Sequence, residues 1–155
     1  MRYLIVHPDI QLRNSRTGKP LKEIDDAGNV IREEITPTSN AVWLTARCDD
    51  QKVTATSKGV RVGARVVAAA EAAKEKTLLA LQDDDWETVK PAVESPSGGY
   101  GPFGRQLQPF MDAFLEADTD KEAALKKLYA LYPEVAPRPT NGAVDKPLEQ
   151  VAAEA

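Results

Sequence analysis

Residues able to do chemistry are few in this chain and far apart in it. His7 is the only histidine and Cys48 the only cysteine. Nucleophilic catalysis would have to bring His7 to Cys48 or to a serine, and no local motif supports either pairing. Asp83-Asp84-Asp85 with Glu87 behind it, and Asp25, Asp26 and Asn29, are the oxygen-rich clusters that hard cations favour. Neither has the D-x-[DN]-x-[DN]-G spacing and distal glutamate of a calcium loop. The second reads as turn chemistry. The first reads as the acidic opening of a helix, with Asp84 and Glu87 spaced as in a capping box.

The glycine-rich run from Gly98 to Gly104 raises the question of phosphate binding, but Arg105-Gln106 stands where Gly-Lys-Ser/Thr would open a helix. A connector is the simpler reading. Together these features predict a protein that is not an enzyme and has no metal and no cofactor. Acid-base work by paired carboxylates is the one enzymatic chemistry that the residue types leave open.

Binding is better represented than catalysis. Leu21, Ile24, Val30 and Ile31 lie in a charged, turn-rich stretch with little else apolar around them. Arg61 and Arg65 are one helical turn apart, and Tyr100 and Phe103 are the aromatic residues of the glycine-rich loop. These eight are the candidate partner-binding residues.

The elements that would position them follow from period and punctuation. The run Tyr3 to Val6 is far too short for a signal peptide or a membrane span and predicts a buried strand ended by His7-Pro8. The turn clusters Thr17-Gly18-Lys19-Pro20 and Asp26-Ala27-Gly28-Asn29 are each followed by a short extended piece, Leu21 to Ile24 and Val30 to Ile35, which predicts a β-hairpin arm. Its charges balance, with Arg13, Arg16, Lys19, Lys22 and Arg32 against Glu23, Asp25, Asp26, Glu33 and Glu34. A lone hairpin is marginal in water, so the arm needs a surface to lean on, in this chain or another.

Beyond Thr38 the period becomes helical. Val42, Trp43 and Ala46 are expected on one face, and Val62, Val66, Ala69, Ala70 and Ala73 form the stripe of a helix from about Val60 to Lys76. Its alanines suit a close helix crossing. Thr77 to Leu81 suits either a strand or the end of that helix. Pro91 is expected to stop or kink the helix opened by the aspartates. Leu107, Phe110, Met111, Phe114 and Leu115 form one further stripe, and Ala124, Leu125, Leu128, Leu131 and Tyr132 another behind a capping box at Thr119 to Glu122. Those last two helices are expected to pack antiparallel. Past Pro133 the prolines break all periodicity and predict an extended tail.

The expected architecture is therefore α+β and mainly α: strand and arm over 1–36, a helical body over 37–133, and a Pro-rich tail over 134–155. With 155 residues, 42% hydrophobic and 28% charged, the chain is ordinary for one folded unit. A net charge of -4 argues against nonspecific nucleic-acid binding, although basic residues outnumber acidic ones between Arg47 and Lys76. A single cysteine fits a reducing cytoplasm.

Three segments, "TGKPLKEIDDAGNVI", "LLALQDDDWETVKPAVESP" and "GGYGPFGRQLQPFMDAF", resemble small accessory proteins encoded by tailed bacteriophages, over roughly residues 15 to 117. The resemblance implies a virion-associated or assembly role, with phage structural proteins or further copies of the chain as partners. It implies no activity, membrane or nucleic-acid contact, and it implies location in the virion and, during assembly, in the host cytoplasm. The alternative is a soluble acidic regulator or host-defence antagonist that binds a host protein, with Asp83 to Glu87 occupying a nucleic-acid or enzyme site on that target.

Overall fold

The computed structural model describes residues 1–138 and shows an α+β fold, mainly helical. In chain order the elements are β1 (Arg2–Val6), β2 (Glu23–Ile24), β3 (Val30–Arg32), α1 (Asn40–Cys48), α2 (Gln51–Thr54), α3 (Ser57–Ala72), β4 (Thr77–Leu81), α4 (Asp83–Glu94), α5 (Gln108–Leu115) and α6 (Lys121–Leu131). Single 3-10 turns occupy Gly101–Phe103 and Pro133–Val135.

β1 pairs antiparallel with β4, Leu4 opposite Leu79. Alternation puts Leu4, Val6, Leu79 and Leu81 on the inner face of this two-stranded sheet, where they join Leu44, Val62, Val66, Val89 and Phe114 in one core. The ambiguous run Thr77 to Leu81 is thus a strand. β1 belongs to the body through it, so the 1–36 segment divides after the first strand instead of forming one unit with the arm.

Of the predicted α3 stripe Val62, Val66 and Ala70 are buried and Ala69 is half-buried, but the helix ends at Ala72, short of Lys76, and Ala73 is its extended C-cap. The close crossing, however, is made by glycines. A Cβ at Gly59 would lie 1.7 Å from the Val53 carbonyl oxygen, and one at Gly63 would lie 3.3 Å from the Cys48 Cβ. On α1 the buried face is Asn40, Trp43, Leu44 and Cys48, and Val42 is exposed. Polar Asn40 on that face disguised its period.

α4 opens from Gln82, and the three aspartates fill its first turn, where they face the positive end of the helix dipole without making a side-chain cap. It also runs through Pro91. Burial of Val89, Ala92 and Val93 on either side of the proline holds the last turn to the core and offsets a cost of about 3 kcal/mol. α5 and α6 do not pack chiefly on each other: each lies against β1. Leu131, expected inward, is exposed. The tail reading falls mostly on residues 139–155, outside the described residues. Of the described part, Glu134 is paired to Lys76 at 2.8 Å.

Residues 10–38 form two successive hairpins. The first closes by Leu12–Leu21 bonding (3.2 Å) around a turn in which Asn14 Oδ1 accepts from the amides of Arg16 and Thr17. In the second, Asp25 Oδ1 accepts from the amides of Ala27 (3.0 Å) and Asn29 (2.8 Å), and Gly28 supplies the left-handed residue at φ +86°. The Asn29 amide is the main reason that the Asp25 carboxyl sits below its usual range. Asp25 is therefore a turn residue, as its spacing predicts. The strand returns through Ile35 to Leu21 (3.0 Å) and rejoins the body at the Ile10–Thr38 bridge.

Candidate functional site

Two features stand out once the fold is built: the arm, and a groove beside β1. In the arm, Ile24 is 59% exposed, Val30 49% and Ile31 59%, while Leu21 is half-buried. Ile24 and Val30 are opposite one another across the hairpin, so their apolar side chains form one patch. Arg32–Glu23 (3.1 Å) and Lys22–Glu33 (3.8 Å) ion pairs flank it. The charge of the arm is unevenly placed. Arg13, Arg16 and Lys19 lie in the first hairpin, and Glu23, Asp25, Asp26, Glu33 and Glu34 outnumber Lys22 and Arg32 in the second.

One side chain ties the arm down in a way that spacing could not reveal. Gln106 accepts from the Arg13 amide (2.7 Å) and donates to the Arg13 carbonyl (2.8 Å), so its amide group substitutes for a strand neighbour. Gln106→Ala should loosen the arm without unfolding the body. Hydrogen exchange at the Arg13 amide is expected to accelerate at least about tenfold, with the thermal transition lower by only about 1 kcal/mol equivalent. Unchanged exchange would show that the tether is immaterial.

The groove has a volume of about 460 Å³. Its floor is the outer face of β1, Tyr3 and Ile5, continued by His7. α5 supplies one wall through Pro109, Asp112, Ala113 and Glu116, and α6 the other through Ala124, Lys127, Ala130 and Leu131. Asp118 closes one end. It exchanges both backbone hydrogen bonds with Tyr3 (2.8 and 3.2 Å), and its carboxylate pairs with Lys127 at 3.1 Å. At His7, Nδ1 lies 2.6 Å from the Tyr132 hydroxyl. A neutral imidazole accepts that hydroxyl proton; an imidazolium cannot.

Burial holds the pKa of His7 below the ordinary histidine value. Protons therefore bind more readily to the unfolded chain, and the contribution of neutral His7 is fully present above the ordinary histidine value of about 6.5 and is lost as pH falls from there through the lower value of the folded state. Melting temperatures from pH 8 to pH 5 should fall more steeply for the native chain than for His7→Gln, which keeps an acceptor and does not titrate. Parallel curves would refute a titrating role for His7.

Comparison with protein-family models, with curated proteins and with solved structures finds no match. What the site can do rests on its own geometry.

Of the remaining candidates, Arg65 and Tyr100 serve internal contacts. Arg65 donates to both oxygens of Asp85 (2.7 and 3.1 Å), whose carboxylate is nearly enclosed. Arg61 is exposed. The Tyr100 ring packs on the core beneath the Arg47 guanidinium (4.9 Å), and its hydroxyl donates to the Val93 carbonyl at 2.6 Å. Phe103 is half-buried. The glycine-rich loop is further tied by Asp50, which accepts from the Ser97 amide (2.7 Å) and hydroxyl (2.9 Å).

The acidic run is also engaged: Asp83 by the N-terminal amine (3.1 Å), Asp84 by Lys58 (3.2 Å) and Asp85 by Arg65. Burial and nearby Asp49 push the Cys48 thiol up to about 12, so it is no thiolate at neutral pH, and His7 bonds Tyr132 instead. Among the described residues no three His, Cys, Asp or Glu side chains converge as metal ligands, and no helix is long and apolar enough to cross a membrane.

Proposed function

We propose that the chain is a structural or assembly-associated protein of a tailed bacteriophage, acting through contacts with phage structural proteins or with further copies of itself. The observation that supports this most is the exposed Ile24, Val30 and Ile31 patch on a hairpin that stands apart from the core. An apolar patch held out on a tethered arm suits burial in another chain. The segments that resemble phage proteins include this arm. A regulator acting through Asp83 to Glu87 is the weaker reading, because Asp83, Asp84 and Asp85 already hold internal cations.

Sedimentation at micromolar concentration and mass spectrometry of purified particles test the proposal together. An oligomer, or the chain present at fixed stoichiometry in particles, is the expected result. A monomer never found in particles would overturn it.

A further inference from the structure

The groove beside β1 has a property that its shape alone does not disclose. Tyr3 directs its N–H and C=O to Asp118, and the Val6 carbonyl points the other way, to the Lys76 amide beside β4. Backbone groups alternate along a strand, so Ile5 turns its N–H and C=O to the same edge as Tyr3. Among the described residues no group meets them there. Ile5 also lines the floor of the groove between α5 and α6, so this edge runs beside it. An unpaired donor and acceptor beside an apolar floor call for an extended backbone.

The walls say what that backbone should carry. Asp112 and Glu116 are one turn apart on α5, and neither carboxylate has an ion-pair or hydrogen-bond partner among the described residues. Lys127, on the other wall, is already paired to Asp118. The unpaired charge in the groove is therefore negative.

We propose that the β1 edge is a docking site for an extended segment of a partner protein, which adds as a strand at Ile5 and directs a lysine or arginine to Asp112 and Glu116. The chain's own arm is a poor occupant. The second hairpin is acidic, and the register shift between Glu23 and Ile24 leaves Ile31 without an opposite residue, which interrupts the alternation that a docking strand needs. The site is separate from the Ile24 and Val30 patch, so its test and the test of the assembly role can fail independently.

The full chain, labelled with nitrogen-15, is titrated with acetyl-Lys-Val-Lys-Val-Lys-Val-amide at low salt, and the Ile5 amide is followed by chemical shift and hydrogen exchange. Saturable shifts at Ile5 and slowed exchange of its N–H are expected. The glutamate counterpart of the peptide should bind about tenfold more weakly, as should the lysine peptide to Asp112→Asn/Glu116→Gln. An analogue methylated on every backbone amide keeps the charges and loses the strand donors, and it should not bind at the edge. Shifts that map away from Ile5, or equal binding of the methylated analogue, would overturn the proposal. So would protection of the Ile5 amide before any peptide is added, since the chain itself or a second copy would then already fill the edge.

Discussion

Replacing Ile24 and Val30 by serine together is expected to abolish assembly while the thermal transition of the isolated chain moves by no more than about 2 °C. Both side chains are about half exposed in the single chain, and substitutions at such positions change stability by roughly 0.5 kcal/mol or less. A partner that covers the patch recovers the remaining half of about 1.5 to 3 kcal/mol for each side chain. Losing both therefore weakens each arm contact by roughly 1.5 to 3 kcal/mol, on the order of ten- to a hundredfold in the dissociation constant. In an assembly that repeats the contact, the losses multiply. Sedimentation velocity of the variant and its recovery in purified particles give the first readout, and a melt of the monomer gives the second. A transition lowered by many degrees would place the arm in the core of the chain and remove the basis for an interaction role.

The largest loss of stability is expected at Trp86. Its ring is buried and stacks on Phe114 at 5.6 Å with 13° between planes, and its Nε1 donates to the Phe114 carbonyl at 2.9 Å. That carbonyl belongs to the last turn of α5, where it also accepts a longer bond from the Ala117 amide (3.3 Å). Arg2 lies 4.1 Å from the ring centroid and Lys90 5.1 Å. Trp86→Ala should cost about 3 to 5 kcal/mol, on the order of 10 °C in the melting temperature. Trp86→Phe keeps the stack and leaves the Phe114 oxygen only its longer bond from the Ala117 amide, so a smaller loss is expected. Trp43→Phe is the control: Trp43 is buried against Phe110 at 5.9 Å, and its Nε1 has no acceptor among the described residues. If the two phenylalanine variants melt together, the Trp86 hydrogen bond contributes little.

Local periodicity was the part of this fold that the sequence made legible. Val62, Val66 and Ala70 repeat at helical spacing and are buried together, and Leu4 and Val6 alternate as a half-buried strand should. Legibility ended where a distant partner decides. Thr77 to Leu81 has no pattern of its own to separate strand from helix, and it is a strand because β1 is there to pair with it. Pro91 is a local veto overruled by Val89, Ala92 and Val93, a contest between terms of similar size that spacing cannot weigh.

Gly18 and Gly28 marked the arm's turns in the sequence, whereas the part of Asn14 in the first turn and the net acidity of the second hairpin needed the hydrogen bonds and the strand register. The groove was invisible for a related reason. Its floor comes from the first residues of the chain and its walls from helices more than a hundred residues later. Nothing in the sequence sets Asp112 and Glu116 apart from the other carboxylates of the chain, since it is the groove that places them beside Ile5.

The pairing of β1 with β4 also sets an order of events during synthesis. Leu4 finds Leu79 opposite it only when the chain has grown by some 75 residues, which at about 5 to 20 residues per second takes roughly 4 to 15 seconds. Asp118, which pairs with Tyr3 on the other edge, emerges later still. β1 thus precedes both of its partners by many residues, and for that interval an apolar strand has both edges bare. During that interval the bare edges of the strand are open to pairing with another chain, the contact that β4 and Asp118 later take up.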